Sequence, residues 1–298
     1  MSLLHPLTSA SVAQAINARL ALDLKPADIK LEFHEWRWVA QLPGEDIAFI
    51  PETTEAVRLL ARERAVLQAL VDKVSFRIPR PEILEPDTPV DVRRKVPGLT
   101  GQQFHDEALV NPVLGDSLAV AMGEILAELH CALSRSEVER LGLDGPAWPM
   151  PVEKIRRNLH GIVDAELEAA MHRVLDLYEA TVVPEGDLVL IHGDFGSHNF
   201  AFDPESHHLC GLFDFDGVAL ADRHLDLKYL PSYGEAIMAK TLAVYRQQVS
   251  VEVAIERIRL YHAAAAMSFL AWRVDEPDRK STRLNSSHSR ASRMPSSA

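Results

Sequence analysis

The sequence is short of cysteine, of basic charge and of long apolar runs, and each shortage removes a class of protein. Its two cysteines, Cys131 and Cys210, stand far apart in a chain of 298 residues. A disulfide scaffold or a cysteine-rich zinc site needs more, so both read as reduced, buried thiols of a cytoplasmic protein. The longest largely apolar run, Ala263 to Trp272, has ten residues, too few to span a bilayer. No Lys or Arg precedes the apolar stretch of Met1 to Ala15, which argues against a secretory leader. Basic residues number 31 against 43 acidic ones, for a net charge of −12. Nucleic-acid binding needs a basic surface, so neither nucleic acid nor membrane is expected as a partner. Neither a P-loop nor a GxSxG elbow occurs.

What is present is a globular composition, 47% hydrophobic and 25% charged. At roughly 100–200 residues per domain, two domains or one bilobal fold are expected. Residues 279–298 hold seven Ser, five basic residues and no acidic one. They read as a disordered, non-native tail. The body divides near Pro97-Gly98, into a small lobe over 1–97 and a mainly helical lobe over 98–278. In the small lobe, helices are predicted over 9–22 and 53–71, the second capped by Thr53. Strands are predicted over 29–33, 37–42, 47–50, 83–84 and 90–96, with a turn at Pro43 to Asp46. In the second lobe, helices are predicted over 116–133, 151–180 and 249–272. Between them lies a β-rich island: 188–191, 200–202 and 209–215.

The island carries the chemistry. Strand Leu188 to Ile191 runs into His192-Gly193-Asp194-Phe195-Gly196-Ser197-His198-Asn199. Asp194 and Asn199 are five apart, the spacing of the protein-kinase catalytic loop. Asp214, in Phe213-Asp214-Phe215, lies fifteen residues after Asn199, past a hairpin turn at Asp203-Pro204-Glu205. Phosphoryl transfer needs a carboxylate to orient the attacking hydroxyl and accept its proton. It also needs hard oxygen ligands for Mg²⁺. Asp194 is the candidate base, and Asn199 and Asp214 are the candidate metal ligands. His130 reads as a packed, hydrogen-bonded helix residue, and His207-His208 as an exposed hairpin.

Four motifs in order resemble the aminoglycoside phosphotransferase and choline kinase-like family over roughly residues 29–278. They are Val96-Pro97-Gly98, Leu126-Ala127-Glu128-Leu129-His130, the His192 to Asn199 loop, and Phe213-Asp214-Phe215 followed by Asp222 and Asp226. The resemblance implies an α+β fold, bilobal and protein-kinase-like, with ATP or GTP as phosphate donor and Mg²⁺ between the lobes. It implies that Arg94 and Val96, in the hinge Arg94 to Gly98, hold the base and that Glu63 serves the nucleotide. His192, Asp222 and Asp226 would support the catalytic loop. Asp216, Ser197 and His198 are candidate substrate contacts. The chain departs from the family at Phe49, where a strand Lys or Arg is usual. Glu63 would then be solvent-exposed or paired with another cation, such as Arg58, Arg62 or Lys95. No glycine-rich loop marks the turn at His34-Glu35-Trp36, and Arg223 replaces a usual Pro.

The charge is uneven. Residues 1–97 hold 13 basic and 14 acidic residues, whereas 98–278 hold 13 and 29. An acidic lobe raises the local concentration of a cationic acceptor. Asp164, Glu166 and Glu168, and Asp275-Glu276, are the densest clusters. The expected activity is phosphoryl transfer to a hydroxyl of a small cationic molecule, foremost an aminoglycoside-type antibiotic. The alternatives are a macrolide phosphotransferase, a metabolic kinase for choline, a sugar or an amino-alcohol, and a nucleotide-free, kinase-like binding protein.

Overall fold

The computed structural model of the chain describes residues 7–20, 22–34, 36–81, 90–100 and 102–275. The strand expected at 83–84, the tail at 279–298 and Glu276 lie outside these residues. The strands are β1 (Lys30–His34), β2 (Arg37–Gln41), β3 (Asp46–Pro51), β4 (Arg80–Pro81), β5 (Asp91–Arg94), β6 (Leu188–Ile191), β7 (Phe200–Phe202), β8 (Leu209–Leu212) and β9 (Ala219–Asp222). The helices are α1 (Ser9–Leu20), α2 (Thr54–Leu70), α3 (Gln102–Val110), α4 (Pro112–Ala132), α5 (Arg135–Arg140), α6 (Val152–Leu159), α7 (Ala165–Glu179), α8 (His224–Leu227), α9 (Glu235–Val249) and α10 (Ile255–Asp275). None of these helices is by itself long and apolar enough to cross a membrane. Two compact units form. One comprises the chain up to Pro146 with Pro184–Val253, and the other Ala147–Val183 with the chain from Ala254.

The first unit holds a five-stranded antiparallel sheet of order β1-β2-β3-β5-β4. Its register sets Phe49 opposite Val39 on one side and Asp91 on the other. Because side chains alternate along a strand, Ala40, Ala48, Ile50 and Val92 share one face. That face packs on Val12, Ala13 and Ile16 of α1. Arg37, Phe49 and Arg93 share the opposite face, towards α2. Thr53 caps α2 as predicted, its hydroxyl accepting from the Ala56 amide at 3.0 Å. The inner stripe of α2, Leu60, Val66, Leu67 and Leu70, is buried, and Glu63 is buried with it.

Glu63 is therefore not exposed, and its partners are not Arg58, Arg62 or Lys95. Arg58 and Arg62 reach Asp144 instead, at 2.6 and 2.5 Å. Arg37 donates from Nη1 to Glu63 Oε2 at 2.6 Å, and Arg93 from Nη1 to Oε1 at 2.5 Å. The two arginines stand on the strands flanking Phe49 and lie against its ring, 4.3 and 4.8 Å from the centroid. Burial would raise the Glu63 carboxyl, but the charges of Arg93 and Arg37 pull it down to about 2.

In the same unit β6 pairs with β9 and β7 with β8, both antiparallel. Helix α4 begins earlier than its apolar pattern, because Asn111 Oδ1 accepts from the amides of Val113 and Leu114 and Pro112 suits the first turn. It packs on α9, a helix the apolar periodicity did not mark. The crossing is close: a Cβ on Gly123 would lie 2.7 Å from the Thr241 carbonyl oxygen and 2.8 Å from Val244 Cβ.

The second unit is α6, α7 and α10 around Ile155, Leu159, Leu175, Met267 and Ala271. The single helix predicted over 151–180 breaks in two. Gly161 takes a positive φ of 71°, and Asp164 caps α7 by accepting from the Leu167 amide at 2.9 Å. The helix predicted from 249 begins at Ile255, because Ser250 ends α9 in a left-handed conformation.

Gly123→Ala is expected to lower stability by about 1–3 kcal/mol, since added volume must force the two helices apart; a denaturant midpoint checks this. Glu63→Gln is expected to cost about 3–5 kcal/mol at pH 7, because it leaves buried arginine charge uncompensated. The depressed Glu63 pKa stabilises the fold above the carboxyl's ordinary pKa, and that contribution fades as pH falls towards about 2. The melting difference between parent and Glu63→Gln should therefore narrow below about pH 4.5.

Candidate active site

Strand β6 ends in a turn built around Asp226. This carboxylate is fully buried; its Oδ2 accepts from the His192 amide and its Oδ1 from the Gly193 amide, each at 2.7 Å. Gly193 has a φ of 85°, and a Cβ there would lie 2.2 Å from the Gly217 carbonyl oxygen, so only glycine fits. The His192 ring hydrogen-bonds the Phe213 carbonyl at 3.0 Å through Nε2 and packs edge-on against Phe215. The turn delivers Asp194, and the short helical turn Ser197–Asn199 brings Asn199 back to it. Asn199 Nδ2 donates to the Asp194 carbonyl at 2.9 Å and to Oδ2 at 3.0 Å.

Two more groups hold the same carboxylate. His198 Nε2 lies 2.7 Å from Oδ2, and the Tyr229 hydroxyl donates to Oδ1 at 2.6 Å. Burial would raise the Asp194 carboxyl, but His198 and the Tyr229 hydroxyl hold it well below the usual carboxylate range. Burial lowers the His198 imidazole, but Asp194 outweighs it and the net shift is upward. Burial and the neighbouring Asp194 push the Tyr229 phenol up.

Beneath the turn a buried chain of hydrogen bonds runs from Asp226 to His130 (3.1 Å), to Tyr245 (2.7 Å), to Arg223 (2.8 Å). His130 is thus the packed residue predicted. Arg223, in place of the usual Pro, is buried and also donates to the Gly186 carbonyl at 2.7 Å. Asp222 accepts from the His224 amide at 3.0 Å and lies 2.6 Å from His224 Nδ1. Ligand atoms of Asp187, Asp222 and His224 all lie within 4.8 Å of one another, with the Arg223 guanidinium 3.3 Å from Asp187. Lys228, fully buried, donates to the carbonyls of Gly193 (2.6 Å) and Leu225 (3.0 Å), and burial lowers its pKa.

Asp214 follows β8 in a left-handed conformation, φ 65°. Its Oδ1 accepts from Arg37 Nη2 at 3.1 Å, and Asp216 Oδ2 lies 3.8 Å from the same nitrogen. The Asn199 amide and the Asp214 carboxylate are hard oxygen donors, and the turn of Asn199's nitrogen onto Asp194 keeps its oxygen for another partner. That donor set fits Mg²⁺.

The remaining predicted residues make other contacts, and neither cysteine is buried as expected, Cys131 being exposed and Cys210 half-buried. Ser197 is buried and hydrogen-bonds Tyr233. Arg94 ends β5 with its Nε 3.7 Å from Asp46. Val96 is buried, and a Cβ on Gly211 would come 2.7 Å from its Cγ1. In the hinge, the Lys95 amide donates to the Glu45 carbonyl at 2.7 Å. The acidic cluster of α7 serves its own helix: Asp164 is the cap, and Glu168 lies 2.8 Å from His160 and accepts from the Gly161 amide. Arg37, Arg93, Lys228 and Tyr229 are the groups that sequence reasoning missed. Lys228 and Tyr229 stand two and three residues past Asp226 and could have been found there. The arginines become visible only once the strand register is known.

Residues 32–272 match the model of the phosphotransferase enzyme family, APH. An aminoglycoside 3'-phosphotransferase of Streptomyces ribosidificus is 30% identical over 133 residues, 42% of this chain and 44% of that protein. The chain spans less than half the length of the curated relatives it matches. Among solved structures, the GDP and kanamycin complex of APH(2")-IIia aligns with a TM-score of 0.72 at 19% identity, covering 94% of this chain and 99% of that one. The apoenzyme of a macrolide 2'-phosphotransferase from Brachybacterium faecium aligns with a TM-score of 0.63 at 16% identity, covering 97% and 99%. These likenesses show the α+β fold that the sequence implied. With the family matched over most of its length, the chain belongs to the phosphotransferase enzyme family.

Proposed function

We propose that the protein transfers the γ-phosphoryl group of ATP or GTP to a hydroxyl of a small cationic acceptor, foremost an aminoglycoside-type antibiotic. The observation that carries the reading is the Asp194 carboxylate. Its Oδ1 takes an O–H donor, that of Tyr229, at 2.6 Å, the contact an acceptor hydroxyl would make. Held low by His198 and the Tyr229 hydroxyl despite its burial, Asp194 is ionised at neutral pH and is a weak base. Its work is to orient the acceptor O–H towards the phosphoryl group and to take the proton as the new O–P bond forms. Asn199 braces that carboxylate through Nδ2, and Asp226 with Lys228 fixes the turn below it. Asn199 and Asp214 would hold Mg²⁺, which when bound neutralises charge on the nucleotide phosphates.

Two observations support a cationic acceptor. The acidic excess falls in residues 98–278, and the relative at 30% identity is an aminoglycoside phosphotransferase. The fold likeness to macrolide phosphotransferases makes a macrolide the second reading. In this proposal His198 and Asp216 meet the acceptor, and the backbone of the hinge at Arg94 and Val96 meets the nucleotide base. The reaction and the reduced thiols suit the cytoplasm, and an active chain would confer antibiotic resistance.

Expression in a sensitive bacterium, with purified-enzyme assays of ATP and GTP consumption, tests the proposal across aminoglycosides, macrolides and choline. Aminoglycoside-dependent turnover is expected, and Asp194→Ala should lower it at least ~10²-fold. Turnover with macrolides alone would replace the acceptor, and near-parental turnover in Asp194→Ala would remove that residue from its role.

A further inference from the structure

Arg37 stands in an unusual position for a buried cation. Its guanidinium faces three carboxylates: Glu63 at 2.6 Å, Asp214 at 3.1 Å and Asp216 at 3.8 Å. The two edges of the fork meet different surroundings. Nη1 is fixed on Glu63, which is buried and gripped from its other side by Arg93. Nη2 is turned to Asp214, whose side chain is 44% exposed. The rings of Trp36 and Phe49 lie 4.5 and 4.3 Å from the guanidinium carbon, so its plane is held while the Nη2 edge meets the open side of the site. Arg93 cannot act in the same way. Its fork is engaged by Glu63 and by Asp91 at 2.7 Å, both deeply buried.

We propose that Arg37 of β2 is the cation that grips the phosphates of the bound nucleotide, its Nη2 edge leaving Asp214 for them as the metal takes that carboxylate. This rests on the phosphotransferase reading above. Asp214 cannot serve a divalent cation and a guanidinium at full strength together. An arginine edge that loses its anion in a buried setting is costly, and a phosphate oxygen is the anion that arrives with the metal. A planar guanidinium already fixed along one edge loses little further freedom in binding a second oxyanion. Phe49 then has a purpose. It supplies a ring against which the cations from the two neighbouring strands are set, on the strand that itself carries none.

Calorimetry of Mg·ADP and Mg·GDP binding to the full chain tests this, with melting of each chain in the absence of nucleotide as a second readout. Arg37→Met is expected to weaken binding of the preferred nucleotide about tenfold or more, as loss of a charge-assisted hydrogen bond does. Placing a cation on the neighbouring strand of the same face, in Arg37→Met with Phe49→Lys, is expected to recover part of the loss. A purely structural Arg37 would lower the melting temperature of Arg37→Met and leave its nucleotide affinity unchanged, and that result overturns the proposal. Should Arg37→Met fail to fold, Arg37→Lys keeps a charge beside Glu63 without the fork. It is expected to bind at least about threefold more weakly, and parental affinity would again overturn the proposal. A parent chain that binds neither nucleotide would overturn the phosphotransferase reading itself, a result distinct from parental affinity in the Arg37 variants.

Discussion

The candidate site hangs on one buried carboxylate. Asp226 has no solvent to satisfy it, so the amides of His192 and Gly193 must, and in doing so they fix the turn that carries Asp194. The constraint propagates both ways. Above it, Gly193 is pressed so near Gly217 that no Cβ fits, and Lys228 fastens the Gly193 carbonyl from the other side. Below it, His130, Tyr245 and Arg223 tie the carboxylate to α4, α9 and the turn at Gly186. The loop keeps its shape because the core dictates it, and a rigid loop is what positions a carboxylate for catalysis.

A second buried carboxylate, Glu63, organises the sheet side of the same unit. One face of the sheet is an ordinary apolar surface against α1. The other is a charged layer in which Glu63 and Asp91 alternate with Arg37 and Arg93 around the Phe49 ring. Such a layer is tolerable only when every charge is paired, and here two arginines answer two carboxylates. It also connects α2 to Asp214 through a single guanidinium, so the metal-ligand candidate is sensitive to the packing of the helix.

Much of this was legible in the residues. The interval from His192 to Asn199, the aspartate at 214 and the one at 226 predicted a loop, a candidate metal ligand and a support, and the structure brings all three together. Thr53 capped the helix it was expected to cap. Other features were hidden for definite reasons. The helix over 235–249 carries little apolar contrast between its faces, so periodicity passed over it. The run over 151–180 keeps its apolar spacing across a break, which a single left-handed Gly161 enforces. The acidic residues of 164–168 form one of the densest clusters of the acidic lobe, and capping and first-turn placement account for Asp164 and Glu168.

The sequence by itself determined the family, the α+β class and which carboxylates are the candidates, because those rest on local spacing along the chain. Only the tertiary structure decided which cations answer Glu63, and that Tyr229 and His198 close on Asp194. Those contacts join residues 26 to 35 apart, or 4 apart across an irregular loop. Their geometry is fixed by strand register and by burial, and neither is written in the spacing of any one segment.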